Sequence, residues 1–313
     1  MERVETSTLL EDRRDACRAL RALSKTYRLE VGAQAMDALV LVLQNDASDS
    51  EIVTYALDSL LNVICNEEAA NEADNRASGV IDCSVQFTEI FIKRKENVQL
   101  LIDLLPEFDF KIRYPTIKLL NGLLRNKLRD CQDCILTHPM GISRMMDLLI
   151  DPREVIRNDA LLLLVFLTKS NANIQKIVAF ENAFDRILDI VSVEGFSDGG
   201  VVVEDCLSIL LNLLKMNTSN QNYFKEGNYI QRLLPFLEIP YDVDWNTSNR
   251  ANNLLLMFKV IRALVSPSNP LQVTISCQKV MNQPNGILQN LCAILLSNGV
   301  PAQILTEVGF ALF

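Results

Sequence analysis

The feature that most constrains the fold is an apolar helical pattern that recurs along the chain. The tripeptide Leu-Leu-Asn occurs three times, ending at Asn62, Asn121 and Asn212, each time among apolar residues spaced three and four positions apart. That spacing places the apolar side chains on one face of an α-helix. Ala160–Leu167 is apolar all round, which is typical of a helix buried on several sides in the middle layer of a stack.

A second recurring element sets the period. Apolar helices end in pairs of bulky residues, and three successive intervals between these pairs are 44, 42 and 46 residues. These intervals match the roughly 40–47-residue period of armadillo and HEAT repeats, which stack to share one core. The sequence therefore predicts an all-α, right-handed armadillo/HEAT-like solenoid with inner helices at Val155–Lys169 and Asp205–Lys215. The first members of the pairs are Leu104, Leu148, Ile190 and Phe236. Side chains expected to be covered by neighbouring repeats are Leu163, Leu164, Ile209 and Leu210.

The two outer intervals are longer. The pairs that begin at Val42 and Leu104 are 62 residues apart, and those that begin at Phe236 and Leu295 are 59 residues apart. Polar, turn-rich sequence fills both, so we attribute the extra length to insertions near 67–84 and 238–250. With these insertions the pattern predicts a single armadillo-like domain over residues 1–313.

The composition excludes several classes of protein. Gly (11) and Pro (10) are scarce among 313 residues, whereas β-sandwiches and barrels need many turn residues. Lys and Arg total 30 against 39 Asp and Glu, a net charge of −9. This balance argues against nucleic acid as a partner, because binding to phosphates depends on clustered cations.

The sequence also argues against catalysis. The single histidine, His138, cannot supply a Ser-His-Asp triad together with a histidine-based metal site, and no nucleotide-binding or hydrolase motif is present. Cys131 and Cys134 form a C-x-x-C near His138, but a zinc site needs a fourth ligand, and none has suitable spacing. We therefore predict a protein that is not an enzyme, with no catalytic residue, no metal and no cofactor.

The sequence also suggests a location. Met1–Asp15 lacks the apolar core of a secretory signal. The longest fully apolar stretch, around Ala160–Leu167, is far shorter than the roughly 20 residues that span a bilayer. We therefore expect the eight cysteines to be reduced thiols in the cytosol.

The Leu-Leu-Asn asparagines are the candidate binding residues. In an armadillo stack the long third helix of each repeat lines a concave groove, where Asn62, Asn121 and Asn212 could bond the backbone of an extended peptide. The alternative is that each amide bonds a neighbouring helix or loop and fixes the stacking of repeats. The equivalent places elsewhere hold Ala22, Phe166 and Ala263, which interrupts any continuous ladder.

Long runs of the sequence resemble the globular heads of the general vesicular transport factor family, which tethers vesicles at the Golgi. The resemblance covers nearly the whole chain. The runs that carry it are Ser48–Leu60, Gln86–Phe110, Pro139–Leu149, Asp151–Val191, Ser197–Phe236 and Leu264–Pro270.

The resemblance implies a function and a set of partners. Members of this family work in ER-to-Golgi and intra-Golgi transport before SNARE-mediated fusion, as peripheral proteins of the cytosol and the cytoplasmic face of the Golgi membrane. It implies binding to a Rab-family GTPase, SNAREs and golgins, and a homodimer formed through a coiled coil in the full-length protein. No heptad region or acidic tail precedes Phe313, so we expect a fragment of a larger head, with the golgin contact outside it.

Another class of armadillo protein is the main alternative. An adaptor for basic peptides, as in nuclear import, would suit the acidic charge. Such carriers line their groove with repeated Trp and Asn, whereas the single tryptophan here, Trp245, lies in a predicted insertion.

Overall fold

The computed structural model describes residues 2–65, 83–238, 245, 248–297 and 299–312. Within these ranges every regular element is helical and no strand occurs, so the all-α prediction is confirmed. None of the described helices combines the length and the apolar character needed to cross a bilayer. The predicted insertions lie mostly outside the described residues, although helices begin at Ser84 and Ser248, inside the ends of the predicted ranges.

The chain divides into two compact units, and the first comprises Met1–Leu167. A short 3-10 helix, Leu148–Ile150, directly follows the α-helix Gly141–Asp147 in this unit. Its described α-helices are α1 (Glu2–Thr6), α2 (Leu10–Thr26), α3 (Arg28–Asn45), α4 (Ser50–Ile64), α5 (Ser84–Ile92), α6 (Lys95–Leu104), α7 (Phe110–Asn126), α8 (Leu128–Leu136), α9 (Gly141–Asp147) and α10 (Glu154–Leu167).

The second unit comprises Thr168–Phe313. Two 3-10 helices, Phe196–Asp198 and Gln231–Leu237, join its α-helices. The described α-helices are α11 (Ala172–Phe180), α12 (Ala183–Val193), α13 (Val201–Leu214), α14 (Thr218–Glu226), α15 (Ser248–Val265), α16 (Leu271–Met281), α17 (Ile287–Leu296) and α18 (Ala302–Leu312).

Two predicted helices differ from the observed ones at their ends. The helix predicted over 155–169 ends at Leu167, and the one predicted from Asp205 begins four residues earlier, at Val201. The bulky pair at Phe236 closes a 3-10 helix rather than an α-helix, and Pro235 within it has no backbone N–H to donate.

Six of the seven described helices of 14–18 residues form the centre of the two units: α2, α4, α7, α10, α13 and α15. In the first unit α4 packs against α2 and α7, and α7 packs against α10; in the second, α15 packs against α13 and α18. This packing leaves Leu163, Leu164, Ile209 and Leu210 with no exposed surface, as predicted.

Short polar side chains start several of these helices. The Asp49 carboxylate accepts hydrogen bonds from the Glu51 and Ile52 amides at the start of α4, at 3.0 and 3.1 Å. Asp109 accepts one from the Lys111 amide at the start of α7, at 2.9 Å. Each carboxylate satisfies amides that lack a partner within the helix and suits the positive end of the helix dipole.

Pro115 lies inside α7 and removes the amide that would bind the Lys111 carbonyl. The Thr54 hydroxyl of α4 donates to the Ser50 carbonyl of its own helix at 2.7 Å and lies 3.4 Å from the Lys111 carbonyl. The neighbouring repeat therefore places a polar group beside the defect that Pro115 leaves.

Buried side-chain amides bind the carbonyl ends of the long helices. In the first unit, Gln132 of α8 has no exposed surface and donates to the Leu167 carbonyl of α10 at 2.9 Å. In the second unit, Asn220 of α14 donates to the Leu213 carbonyl of α13 at 2.9 Å and to the Gln175 carbonyl at 3.0 Å. The bonds to Leu167 and Leu213 satisfy carbonyls that have no partner within the helix, and the bond to Gln175 joins α14 to α11.

Gln221 makes the most extensive contacts of this kind. Its amide nitrogen donates to the carbonyls of Leu214 in α13 and Ala263 in α15, at 2.8 and 3.2 Å, and to the Asn269 side chain at 3.1 Å. One fully buried side chain thus joins the ends of two successive long helices. We call Gln132, Asn220 and Gln221 the helix-end amides.

We expect Leu164→Ala to lower the free energy of unfolding by about 2–5 kcal/mol, because the truncation leaves a cavity in a fully buried layer. Urea unfolding followed by circular dichroism measures the change. Val155→Ala on the same helix is the control, since Val155 is 51% exposed, and should change stability far less. Equal effects of the two variants would contradict the stacked core.

We expect Gln221→Leu to lower the free energy of unfolding by about 1 kcal/mol. The Leu214 and Ala263 carbonyls lose their side-chain donor, and this loss outweighs the removal of the Gln221 side-chain oxygen, which has no partner among the described residues. The matched control is Gln272→Leu on the exposed side of α16. Thermal and urea unfolding of both variants test this prediction. A Gln221→Leu variant as stable as the parent chain would show that the helix-end amides do not stabilise the stack.

Candidate functional site

The structure places all three Leu-Leu-Asn asparagines between neighbouring parts of the stack. The Asn62 amide donates to the Ser24 hydroxyl of α2 at 2.9 Å, and that of Asn121 donates to the Asp159 carbonyl of α10 at 3.1 Å. Asn212 of α13 donates to the Thr168 hydroxyl at 3.1 Å. These bonds are those expected of the stacking role; the groove-lining role stays a prediction.

Asn121 retains one unused bonding group. The residue is 5% exposed, and its side-chain oxygen has no hydrogen-bond partner among the described residues. A buried carbonyl oxygen without a partner is unfavourable by about 1–3 kcal/mol. That oxygen is itself enclosed by the described residues, so the groove-lining role of Asn121 stays a prediction.

A strip of basic and aromatic residues runs along α7 beside Asn121. The Lys118 ammonium lies 5.7 Å from the centre of the Tyr114 ring, and the Arg125 guanidinium lies 5.8 Å from that of Phe166 on α10. The sequence of α7 contains basic residues and no acidic one. Exposed guanidinium groups held against aromatic rings are frequent in protein-binding surfaces.

An exposed phenylalanine lies between two arginines just before α7. Phe108 is 70% exposed, and the guanidinium groups of Arg153 and Arg113 lie 4.8 and 5.4 Å from its ring centre. Both arginines bind Asp151, at 2.6 Å. We call these four residues the Phe108 cluster. Sequence patterns did not reveal it, because Arg113 lies on α7, 38 positions before Asp151.

Asp151 holds the Phe108 cluster together. Its side chain has no exposed surface and accepts hydrogen bonds from the Arg153 side chain, the Arg153 amide and Arg113. The bonds from Arg153 are the largest cause that lowers the pKa of this carboxyl far below its usual value, against the opposing effect of burial. The carboxylate therefore stays charged and keeps both guanidinium groups beside Phe108.

The C-x-x-C motif lies inside the helical stack. Cys131 and Cys134 on α8 are both buried, and burial raises the pKa of each thiol, which disfavours the reactive thiolate. His138 instead faces Asp103, with its Nε2 3.2 Å from the carboxylate. No group of three or more potential metal ligands was found in the described ranges.

We expect Asp151→Asn to lower the free energy of unfolding by about 3 kcal/mol at neutral pH, because it leaves two arginines without their shared carboxylate. The folded-state pKa of Asp151 is depressed, so its contribution is complete above the ordinary value of about 4 and is lost as the pH falls towards the folded-state pKa. The difference between variant and parent should therefore shrink in acid.

Urea unfolding from neutral pH to strongly acid pH tests this pH dependence. The control is Asp189→Asn, which removes a carboxylate that is 72% exposed and paired with Arg232, and it should change stability by less than about 1 kcal/mol. A difference between Asp151→Asn and the parent that is independent of pH would contradict the assigned role of the carboxylate.

Comparison with protein families identifies one match. Residues 242–304 match the model for the armadillo tether-repeat of vesicular transport factor. General vesicular transport factor p115 from Homo sapiens is 59% identical to this chain over 306 residues, which is 98% of this chain and 32% of the human protein. The chain thus spans about a third of the length of this relative.

Solved structures agree with the sequence comparison. The crystal structure of Uso1-2 superposes with a TM-score of 0.89 and 28% identity, covering 99% of this chain and 49% of that one. A computationally designed armadillo repeat protein for modular peptide recognition superposes with a TM-score of 0.62 at 13% identity, covering 84% of this chain and 97% of that one, which shows the fold alone. The predicted armadillo-like fold and the resemblance are both confirmed, and the chain belongs to the general vesicular transport factor family.

Proposed function

We propose that this chain is the head of a vesicle-tethering factor, a non-catalytic scaffold that binds proteins in ER-to-Golgi and intra-Golgi transport before SNARE-mediated fusion. The observation that carries the proposal is its 59% identity to human p115 along almost its entire length. Identity at this level extends to exposed positions, where partners bind, as well as to the core.

The partners follow from the same relationship. A Rab-family GTPase and SNAREs are the proposed ligands of the whole protein, and golgins bind it outside this chain. The full-length protein forms a homodimer and attaches peripherally, through other proteins, to the cytoplasmic face of the Golgi membrane. Neither nucleic acid nor a cofactor has a part in this function.

The exposed surface of the first unit supports a scaffold role. Phe108 presents most of its ring to solvent between two guanidinium groups, and Arg125 on the same helical layer forms no ion pair within the described residues. Aromatic and arginine side chains in this arrangement are the usual anchors of protein interfaces. The adaptor for basic peptides fits less well, because these groups would repel a basic ligand.

A chimera tests the proposed function. This chain replaces the corresponding segment of human p115 in cells depleted of the endogenous protein, and arrival of a secretory cargo at the Golgi is measured. We expect cargo transport to be restored. The control chimera carries a designed armadillo array of similar length, which supplies the fold without the family-specific surface and should not restore transport.

Two results would contradict the proposal. One is a chimera that is stable and correctly expressed but no more active than the control with the designed array. The other is direct binding of a basic nuclear-import peptide, measured by fluorescence anisotropy with the purified chain, where purified Rab GTPases loaded with a GTP analogue do not bind.

A further inference from the structure

The second unit contains a pocket of about 330 Å³ between successive inner helices. Leu211 and Lys215 line it from the end of α13, Lys259, Arg262 and Ala263 from α15, and Glu307 from α18. All these residues belong to the same compact unit. The volume is at the lower end of the range for ligand sites, and it suits one or two side chains of a larger ligand.

The pocket is positively charged although the protein is acidic. Three cations, Lys215, Lys259 and Arg262, face one carboxylate, Glu307. Arg262 and Glu307 are 3.5 Å apart, which partly neutralises both. Lys215 and Lys259 are exposed and form no ion pair within the part of the chain that the structure describes. Two uncompensated ammonium groups at the edge of a recess attract anionic groups.

The pocket also offers apolar surface. Leu211 and Ala263 contribute to its wall, and Met216, which is 81% exposed, lies at its edge. The backbone at Ala263 is held in place because its carbonyl accepts hydrogen bonds from Gln221 and Asn269, at 3.2 and 2.8 Å. Ala263 occupies the place that asparagine holds in the Leu-Leu-Asn helices, so a small side chain stands where a larger one would fill the space.

We propose that this pocket binds an acidic segment of a partner polypeptide, with an apolar side chain against Leu211 and Ala263 and flanking carboxylates on Lys215 and Lys259. The proposal deepens the scaffold role above, and rests on it, by naming the chemistry of one partner. A peptide suits the site better than a bilayer does, because the apolar wall is recessed between helices and a single extended chain can reach it.

Fluorescence anisotropy of a labelled peptide, EEDLEEDLEE, with the 313-residue chain tests the pocket. We expect saturable binding that weakens as salt rises, since exposed charge pairs are screened. The double variant Lys215→Glu, Lys259→Glu should weaken binding by about tenfold or more. Ala263→Leu, which fills the pocket without changing its charge, should also weaken it. Thermal unfolding confirms that each variant is folded.

The double variant Lys25→Glu, Lys176→Glu is the matched control, because it makes the same change in net charge at exposed positions outside the pocket. It should bind the peptide within about twofold of the parent chain. Equal weakening by both double variants would overturn the proposal, because binding would then reflect net charge alone. Preference for the charge-reversed peptide KKKLKKKLKK would also overturn it.

Flotation with phosphatidylserine vesicles tests whether the pocket binds a membrane surface rather than a peptide. If Lys215→Glu, Lys259→Glu abolishes flotation with vesicles and leaves peptide binding unchanged, the pocket recognises lipid and the proposal is wrong. Failure of this inference is distinct from failure of the proposed function: a chimera that restores transport without any peptide binding would refute the pocket and leave the scaffold role intact.

Discussion

The bond between a buried side-chain amide and the last carbonyls of a long helix is the interaction on which the stack depends. Every α-helix ends with carbonyls that lack a partner, and in a single-layer protein water satisfies them. Here these ends lie inside the stack, so each needs a protein donor. Gln221 supplies it for α13 and α15 together. Because the donor comes from a short helix that packs beside the long one, the bond fixes how far one repeat can slide along the next.

This arrangement determines which residues remain for partners. The amide nitrogens of Asn62 and Asn121 donate hydrogen bonds to neighbouring helices. The fold therefore uses side-chain donors that a peptide-binding groove would require. What remains exposed is a different set, namely arginine and aromatic side chains around α7 and the cationic pocket beside Ala263. In these helices, amides at buried positions contribute to stacking, and charged or aromatic groups at exposed positions remain available to the partners proposed above.

Periodicity predicted the fold well because an apolar stripe depends on sequence-local spacing. The burial of Leu164 and Ile209 follows from that spacing alone. Helix ends were less predictable: α13 begins at Val201, directly after Gly199 and Gly200 and four residues before the predicted start at Asp205. The contacts of Gln221 with Ala263 and of Arg113 with Asp151 could not be predicted, since they join residues 42 and 38 positions apart whose proximity depends on the stacking of repeats.

The charge distribution also distinguishes the two functional hypotheses, a tethering-factor head and an adaptor for basic peptides. A net charge of −9 favours basic ligands only if the acidic groups lie where a ligand binds. In the described residues several carboxylates are already paired with arginine: Asp46 with Arg13, Asp49 with Arg14 and Asp151 with Arg113. Paired carboxylates contribute little field beyond their partners, whereas Lys215, Lys259 and Arg125 form no ion pair within the described residues. The pocket lining, with three cations and one carboxylate, is therefore opposite in sign to the net charge, and for this reason we propose an acidic partner for an acidic scaffold.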